Sequence, residues 1–433
     1  MKPTAPREAE PAVLPVSGVL AALGEALARH RRAVLVAPPG SGKTTLVPPW
    51  LLASGLVPKG EILMLQPRRV AARSVARFIA AQRHEDVGRT VGYQVRFETR
   101  ASAETRIRVV TEGILTRRLQ GDPSLEGVGA VILDEFHERS VHADLALALL
   151  KEVQEALRDD LLVLVMSATL DAEPVARFLG HCPIIVAEGR VHPIETHFAD
   201  EGIDPGARPH EIEAHMARAT LDLVDRVEAA HREFPRHRDV LGFLPGVRLI
   251  DQTRALLAPQ LERRGWDVAV LHGSLDPREQ DRALVPGPRP RVVLATNIAE
   301  TSLTIPGVGA VVDSGLAKVM RYDLAVGSER LETTRIGRAS ADQRRGRSGR
   351  LGPGIAMRLW TRFEDDRLRP FEDPEIRRID LARVILELYA WGSDPHRFGW
   401  FEAPDARAIE DAERRLFGLG ALAWKHATRV LTP

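Results

Sequence analysis

The chain has 433 residues, enough for two or three domains, and 44% of them are hydrophobic, enough for sizeable cores. With 60 Lys+Arg against 59 Asp+Glu, its formal net charge of +1 excludes a globally basic nucleic-acid-coating protein. The single cysteine, Cys182, excludes an internal disulfide; no apolar run is long enough to span a bilayer, and Met1 to Glu10 has no secretory core, so a cytoplasmic protein without a membrane partner is expected.

Residues 1–15 read as a flexible leader. From Val16, short β-branched runs alternate with amphipathic helical stretches, the pattern of parallel sheets covered by helices. The first run, near 33–37, feeds Pro38-Pro39-Gly40-Ser41-Gly42-Lys43-Thr44-Thr45. This is a phosphate loop with Ala37 at the position usually held by Gly. Gly40 and Gly42 let backbone N–H groups curl around phosphate oxygens, Lys43 neutralises the β/γ-phosphates, and Thr44 offers a hydroxyl to Mg²⁺. An ordinary strand–turn–helix connection is the competing reading, disfavoured by the Gly-Lys-Thr-Thr order.

Strands are expected near 61–65 and 107–110. Between Gln66 and Arg118, twelve arginines face five acids; arginine suits bidentate phosphate contacts, and a solvated face is the bland alternative. A strand near 129–134 ends in Asp134-Glu135, carboxylates placed to hold Mg²⁺ and orient water, with His137 two residues on. A strand near 161–166 closes the first series. A second series is expected near 239–244, 267–271, 291–296, 308–313 and 354–359, with the junction near Glu188 to Pro193. It has no phosphate loop, so it must serve another role.

In that second series, the run from Thr296-Asn297 to Ser302 ends a strand in hydroxyl and amide groups of the kind that bind phosphate without selectivity, although by composition alone it is an ordinary strand–turn. Further on stands Gln343-Arg344-Arg345-Gly346-Arg347-Ser348-Gly349-Arg350. Arg347 and Arg350 are three apart and share a helical face, which suits a clamp on a γ-phosphate presented by the other domain; a basic surface patch is the alternative. Beyond Glu364 the strand signal stops, and 374–391 and 406–417 read as amphipathic helices of a small helical domain. The single histidines show no metal spacing.

In this order the motifs closely resemble the DEAH/RHA group of superfamily 2 helicases, and Phe136 in Asp134-Glu135-Phe136-His137 is similar to the bacterial HrpB members. The resemblance runs from about Leu14 to the last residue. It implies an α/β fold of two tandem RecA-like parallel-sheet domains, 16–190 and 191–365, followed by a partial helical winged-helix domain, 366–433. Family members continue into a ratchet bundle and an oligonucleotide-binding fold, so either a fragment or a chain without those parts is expected. The implied cofactors are ATP, at Gly40, Ser41, Gly42, Lys43, Thr44, Thr45 and Ser302, and Mg²⁺, at Thr44 and Asp134. Glu135 is implied as general base, His137 as a relay to Ser167-Ala168-Thr169, Gln343 as a water-positioning group, and Arg347 and Arg350 as γ-phosphate ligands. Arg68, Arg69, Arg96, Thr111, Thr296 and Asn297 are implied to contact nucleic acid, with Gln66 and Glu112 beside them, and 319–336 to form a strand-separating hairpin. Phe78 and Leu284 stand where the family sandwiches the base between Arg and an aromatic residue, so base selectivity is expected to be weak. The implied activity is ATP-dependent, 3′-to-5′ translocation on single-stranded nucleic acid, RNA by family habit, by a monomer. The alternative is an ATP-gated binding protein without processive unwinding.

Overall fold

The computed structural model describes residues 14–168, 171–189, 192–230, 237–300, 305–323, 325–425 and 428–432. The two series of apolar runs form two separate sheets. The first contains β1 (Arg32–Val36), β2 (Glu61–Gln66), β3 (Val91–Val95), β4 (Glu98–Arg100), β5 (Ile107–Thr111), β6 (Val128–Leu133), β7 (Leu162–Ser167) and β8 (Ile184–Val186). Their spatial order is β4-β3-β5-β2-β6-β7-β1-β8, parallel throughout except for the β3–β4 pair. The second contains β9 (Ile194–Phe198), β10 (Asp239–Phe243), β11 (Asp267–Leu271), β12 (Arg291–Ala295) and β13 (Val308–Asp313). A long hairpin, β14 (Leu316–Asp323) and β15 (Ser328–Arg335), separates these from β16 (Gly354–Arg358). The order here is β11-β12-β10-β13-β16-β9, all parallel.

Parallel strands covered by helices on both faces read as near-continuous apolar runs, which is why they were visible in sequence. β2 and β13 are buried at every residue. Alternation still sorts the side chains: Val34, Val36, Leu63, Leu65, Val131 and Leu133 enter one core of the first domain, and Ala33, Leu35, Ile62, Met64, Ala130 and Ile132 the other. In such sheets ligands sit beyond the carboxyl ends of the strands. The phosphate loop leaves β1, Asp134 follows β6, Ser167 ends β7, Thr111 ends β5 and Thr296 follows β12, so the chemistry-bearing turns gather on one edge of each sheet.

After the second sheet come helices Ala382–Trp391 and Ala406–Gly418 and a hairpin of β17 (Leu422–Lys425) and β18 (Thr428–Leu431). The first helix is shorter than the 374–391 expectation. Asp380 Oδ1 accepts a hydrogen bond from Ala382 N at 2.7 Å and starts the helix there, while Glu375–Arg377 makes only a 3₁₀ turn. The closing hairpin is an element the apolar pattern did not announce. Ile376, Leu381, Val384, Ile385, Leu388, Ile409 and Leu416 belong to the same core as Val131 and Leu145 of the first domain. This C-terminal module is therefore fused to the first domain through a shared core.

Leu14 and Pro15, expected in the leader, are packed. A 3₁₀ turn, Pro15–Val19, lies on the phosphate loop, and Val16 N donates to Ser41 O at 3.1 Å. The rest of the leader, and 190–191 at the expected junction, lie outside the described residues. Among the described residues no helix is long and apolar enough to cross a membrane.

Candidate functional site

The phosphate loop turns through Gly40 and Gly42, both in left-handed backbone (φ 83° and 89°) that a side chain would strain. A Cβ on Gly42 would also stand 2.7 Å from Leu14 Cδ1, so a side chain there would have to displace Leu14 as well as adopt that φ. Gly42 opens the helix Lys43–Ala53, whose N-terminus therefore faces the loop. Ser41 is buried, and its hydroxyl has no hydrogen-bond partner among the described residues. A cradle of backbone N–H groups with an unsatisfied buried hydroxyl fits a polyphosphate.

Beside it, β6 delivers Asp134 and Glu135. Asp134 Oδ2 accepts from Thr44 Oγ1 at 2.7 Å and from Gln66 Nε2 at 2.6 Å, and Oδ1 accepts from Glu135 N at 2.9 Å. Lys43 Nζ lies 3.4 Å from Glu135 Oε2, both side chains nearly buried. Burial and the neighbouring Glu135 charge push Asp134 up to about 6, against the pull of Lys43. Burial works to raise Glu135 too, but Lys43, His137 and Arg347 outweigh it and hold its pKa below the usual value. Thr44 and Asp134 give a hydroxyl and a carboxylate oxygen within contact of each other, hard ligands of the few-per-protein kind that Mg²⁺ takes when substrate phosphates complete its shell. Consistent with that economy, no group of three or more His, Cys, Asp or Glu suited to a metal occurs among the described residues.

His137 bridges this site to the end of β7. Its Nδ1 accepts from Ala168 N at 3.1 Å, so the ring proton sits on Nε2, 3.6 Å from Glu135 Oε2. Burial lowers its pKa against the attraction of Glu135 and keeps the ring neutral. The turn that carries these groups is held in unusual backbone: Glu135 (φ 52°) and Arg139 (φ 50°) are both left-handed, flanking a single 3₁₀ turn, Phe136–Glu138. Non-glycine residues in that region each cost on the order of 1–3 kcal/mol.

The second domain faces the loop with arginines. A Cβ on Gly40 would meet Arg350 Nε at 3.7 Å, so Arg350 lies directly across the cleft from the phosphate loop. Arg347 is buried, and both its Nε (3.0 Å) and Nη2 donate to the Glu300 carbonyl. Burial pushes Arg350 down to about 10 against the attraction of Glu135; burial and the Arg350 charge push Arg347 well below its ordinary value. Two crowded, desolvated cations opposite a phosphate cradle suit an anion between them. Gln343 lines a cavity of about 400 Å³ with His137, Ser167, Arg68 and Asn297.

The arginines of the first domain divide. Arg69, Arg96 and Thr111 line an open groove of about 770 Å³, together with Glu112, Arg117 and Arg383. Arg96 lies 4.7 Å from the ring of Phe97, which is 91% exposed in the β3–β4 turn. Arg68 points elsewhere. It donates to the Asn297 carbonyl at 2.5 Å across the domain boundary and pairs with Glu138 at 3.2 Å. Thr296, half-buried, donates its N–H to Leu271 O at 3.2 Å and borders neither the groove nor the cavity.

Two family models match: "DEAD/DEAH box helicase" over residues 20–178 and "Helicase conserved C-terminal domain" over 222–352. The chain is 43% identical over 414 residues to the Escherichia coli (strain K12) ATP-dependent RNA helicase HrpB, covering 94% of this chain and 49% of that protein. It is 36% identical over 430 residues to the Mus musculus ATP-dependent RNA helicase DHX33, covering 96% of this chain and 60% of the relative. The crystal structure of Escherichia coli DEAH/RHA helicase HrpB superposes with a TM-score of 0.86 at 42% identity, over 97% of this chain and 51% of that one. The chain thus carries a DEAD/DEAH box helicase domain and a helicase conserved C-terminal domain. It spans about half the length of HrpB.

Some positions at the candidate site were not singled out for the contacts they make. Gln66, expected at the nucleic-acid groove, is fully buried and bonded to Asp134. Arg344, passed over between Gln343 and Arg347, is 1% exposed and pairs with Glu300 at 2.9 Å and Asp313 at 2.8 Å, fixing the helix Arg338–Arg345 to β13; Arg347 and Arg350 follow in the turns after Gly346 ends that helix, not on a shared helical face. Their signal was their place inside helicase motifs, since a polar residue in an otherwise buried stretch needs a partner. Ser302 and Thr169 lie outside the described residues.

Proposed function

We propose that this chain is the ATP-hydrolysing motor of a 3′-to-5′ RNA helicase, working as a monomer in the cytoplasm. Residues 16–190 form its ATP-binding domain, 191–365 its second helicase domain and 366–433 a winged-helix part. The observation that carries the reading is the cleft in which Lys43, Asp134 and Glu135 of one domain face Arg347 and Arg350 of the other. RNA is proposed because the matched relatives are named ATP-dependent RNA helicases.

In this reading Gly40, Ser41, Gly42 and Thr45 cradle the phosphates and Lys43 leaves Glu135 to neutralise them. Mg²⁺, held by Thr44 and Asp134, supplies charge neutralisation on the phosphate oxygens. Glu135, freed of Lys43, takes a proton from water, and Gln343 orients that water. Arg347 and Arg350 stabilise charge on the γ-phosphoryl group, a contribution on the order of 10³–10⁵ in rate for such arginines. Ser302 contacts nucleotide from the second domain. His137 passes the state of the site to the 167–169 segment through its bond to Ala168. Arg69, Arg96 and Thr111 grip the strand on the first domain, and Thr296 and Asn297 on the second, while Arg68 ties the two domains and contacts nucleic acid when the cleft opens.

The test is ATP turnover with and without single-stranded RNA, and displacement of a duplex carrying a 3′ tail. RNA-stimulated turnover lost in Lys43→Ala, with displacement by the wild type, is the expected result. ATP-gated RNA binding without displacement would leave the binding-protein alternative standing, and RNA-independent turnover would remove RNA from the account.

A further inference from the structure

The catalytic turn is gripped from outside its own domain. A strained backbone persists only where its surroundings over-determine it, and Glu135 and Arg139, both left-handed, bracket the turn that carries the carboxylate and the histidine. Within the first domain, Phe136 is buried and Arg139 forks onto Asp144 at 3.0 and 2.8 Å. Further contacts come from the C-terminal module, from residues more than 230 positions away in the chain. Phe136 meets the ring of Phe401 edge-on with centroids 5.6 Å apart, and Phe401 in turn meets Phe178 at 5.2 Å. Arg139 lies 4.6 Å over the same Phe401 ring and pairs with Glu402 at 2.7 Å. Glu375 closes the far end: its N–H donates to Arg139 O at 3.0 Å, and its carboxylate accepts from Val141 N at 3.0 Å.

We propose that Phe401, supported by Glu402, is a positioning residue for ATP hydrolysis: it seats Phe136 and Arg139 and thereby fixes the turn that aims Glu135 and His137. The proposal rests on the reading of Glu135 as general base. Phe136 sits between the carboxylates and the histidine, so a rotation of its backbone moves both groups. A bulky aromatic there needs a complementary surface, and Phe401 supplies it from a module that shares the first domain's core. A load on the C-terminal module therefore reaches the catalytic carboxylate through the Phe401 ring, the Glu402 ion pair and the Glu375 hydrogen bonds, without passing through the interdomain cleft.

The test uses the full chain with Phe401→Ala, Phe401→Leu, Phe136→Ala, the Phe136→Ala/Phe401→Ala double variant, Glu402→Gln, and Glu135→Gln as reference. Measured are kcat and KM for ATP, with melting temperature alongside. Misplacing a reacting group by about 1 Å costs about 10²-fold, so Phe401→Ala is expected to lower kcat about 10–100-fold with KM within about twofold. Phe401→Leu, which refills the volume, should recover kcat to within about threefold of wild type. The double variant should be no slower than the worse single one, because both remove the same contact. Glu402→Gln, isosteric and at a partly exposed position, keeps the test alive should Phe401→Ala not fold; its kcat should drop about threefold or more with melting temperature unchanged. Wild-type kcat in Phe401→Ala or Glu402→Gln, with Glu135→Gln inactive, overturns the proposal. Losses in kcat that simply add, or that follow melting temperature across the series, also overturn it. Wild-type turnover by Glu135→Gln instead overturns the base assignment, which is a separate failure.

Discussion

Arg344→Met is the sharpest test of how the helix Arg338–Arg345, which leads into Arg347 and Arg350, is held. The Arg344 side chain is 1% exposed and its guanidinium serves two carboxylates, Glu300 at 2.9 Å and Asp313 at 2.8 Å, while lying 4.9 Å from the Phe243 ring. Removing one partner of a buried ion pair typically costs about 3–5 kcal/mol, because the other charge is left uncompensated. Here two carboxylates are stranded, which argues for the upper end. Burial already raises the pKa of Asp313 even with Arg344 present. Without the guanidinium Asp313 takes up a proton instead of staying charged, and each pKa unit of that relief is about 1.36 kcal/mol. The net expectation is a loss of about 3–4 kcal/mol at neutral pH, shrinking as pH falls toward 5. Urea denaturation at several pH values reads it. The Glu300→Gln/Asp313→Asn/Arg344→Met variant, with no stranded charge, should regain about 2 kcal/mol or more. A loss below about 1 kcal/mol for Arg344→Met, the range of an exposed pair, would refute the reasoning.

Three further outcomes are expected. Glu112 is pushed up to about 8, first by burial and then by Glu138, Glu375 and Asp144, against a 2.5 Å hydrogen bond from Ser140. A carboxyl raised above its unfolded value stabilises fully below about 4.5 and loses that stabilisation as pH rises through about 8. Melting temperature should therefore fall between about pH 5 and pH 8 and level off above that, and Glu112→Gln should abolish most of that fall; an unchanged slope contradicts the shift. Because Glu112 lines the groove, single-stranded RNA binding should weaken as pH rises through about 8 in wild type and not in Glu112→Gln. In salt titrations of RNA affinity, Arg69→Ala and Arg96→Ala should each reduce the log–log slope by about 0.7, whereas Arg68→Ala, spent on Asn297 and Glu138, should leave the nucleotide-free slope unchanged; equal effects from all three would erase the division between groove and cleft.

The sheets were legible because burial on both faces of a parallel strand imprints an apolar run: β2, expected near 61–65, spans Glu61–Gln66, and β13, expected at 308–313, spans those residues. The phosphate loop and the Asp134-Glu135 turn were legible for another reason. Their chemistry needs fixed residue types at fixed spacing, Gly where φ is positive and carboxylates at a strand end. Side-chain direction was less legible. Arg68 and Arg69 are adjacent and chemically identical, yet Arg68 is extended (φ −123°, ψ 133°) and turns into the cleft, while Arg69 begins a helix and faces the groove. Periodicity does not carry that distinction. Nor does it carry Phe136–Phe401, a pairing set by how the C-terminal module docks. The helix expected from 374 begins at Ala382, because Asp380 holds the Ala382 N–H just ahead of the helix and Arg378 turns back to donate to Met320 O of the hairpin at 3.1 Å.

The central claim is that one cleft hydrolyses ATP with a carboxylate from the first domain and an arginine from the second. Steady-state ATP turnover in saturating single-stranded RNA, by wild type, Glu135→Gln and Arg350→Ala, tests it most directly. Both variants are expected to fall by about 10²-fold or more with melting temperature unchanged. Turnover within a few-fold of wild type in either variant would contradict the assignment of that residue, and in both would remove the cleft as the site of hydrolysis.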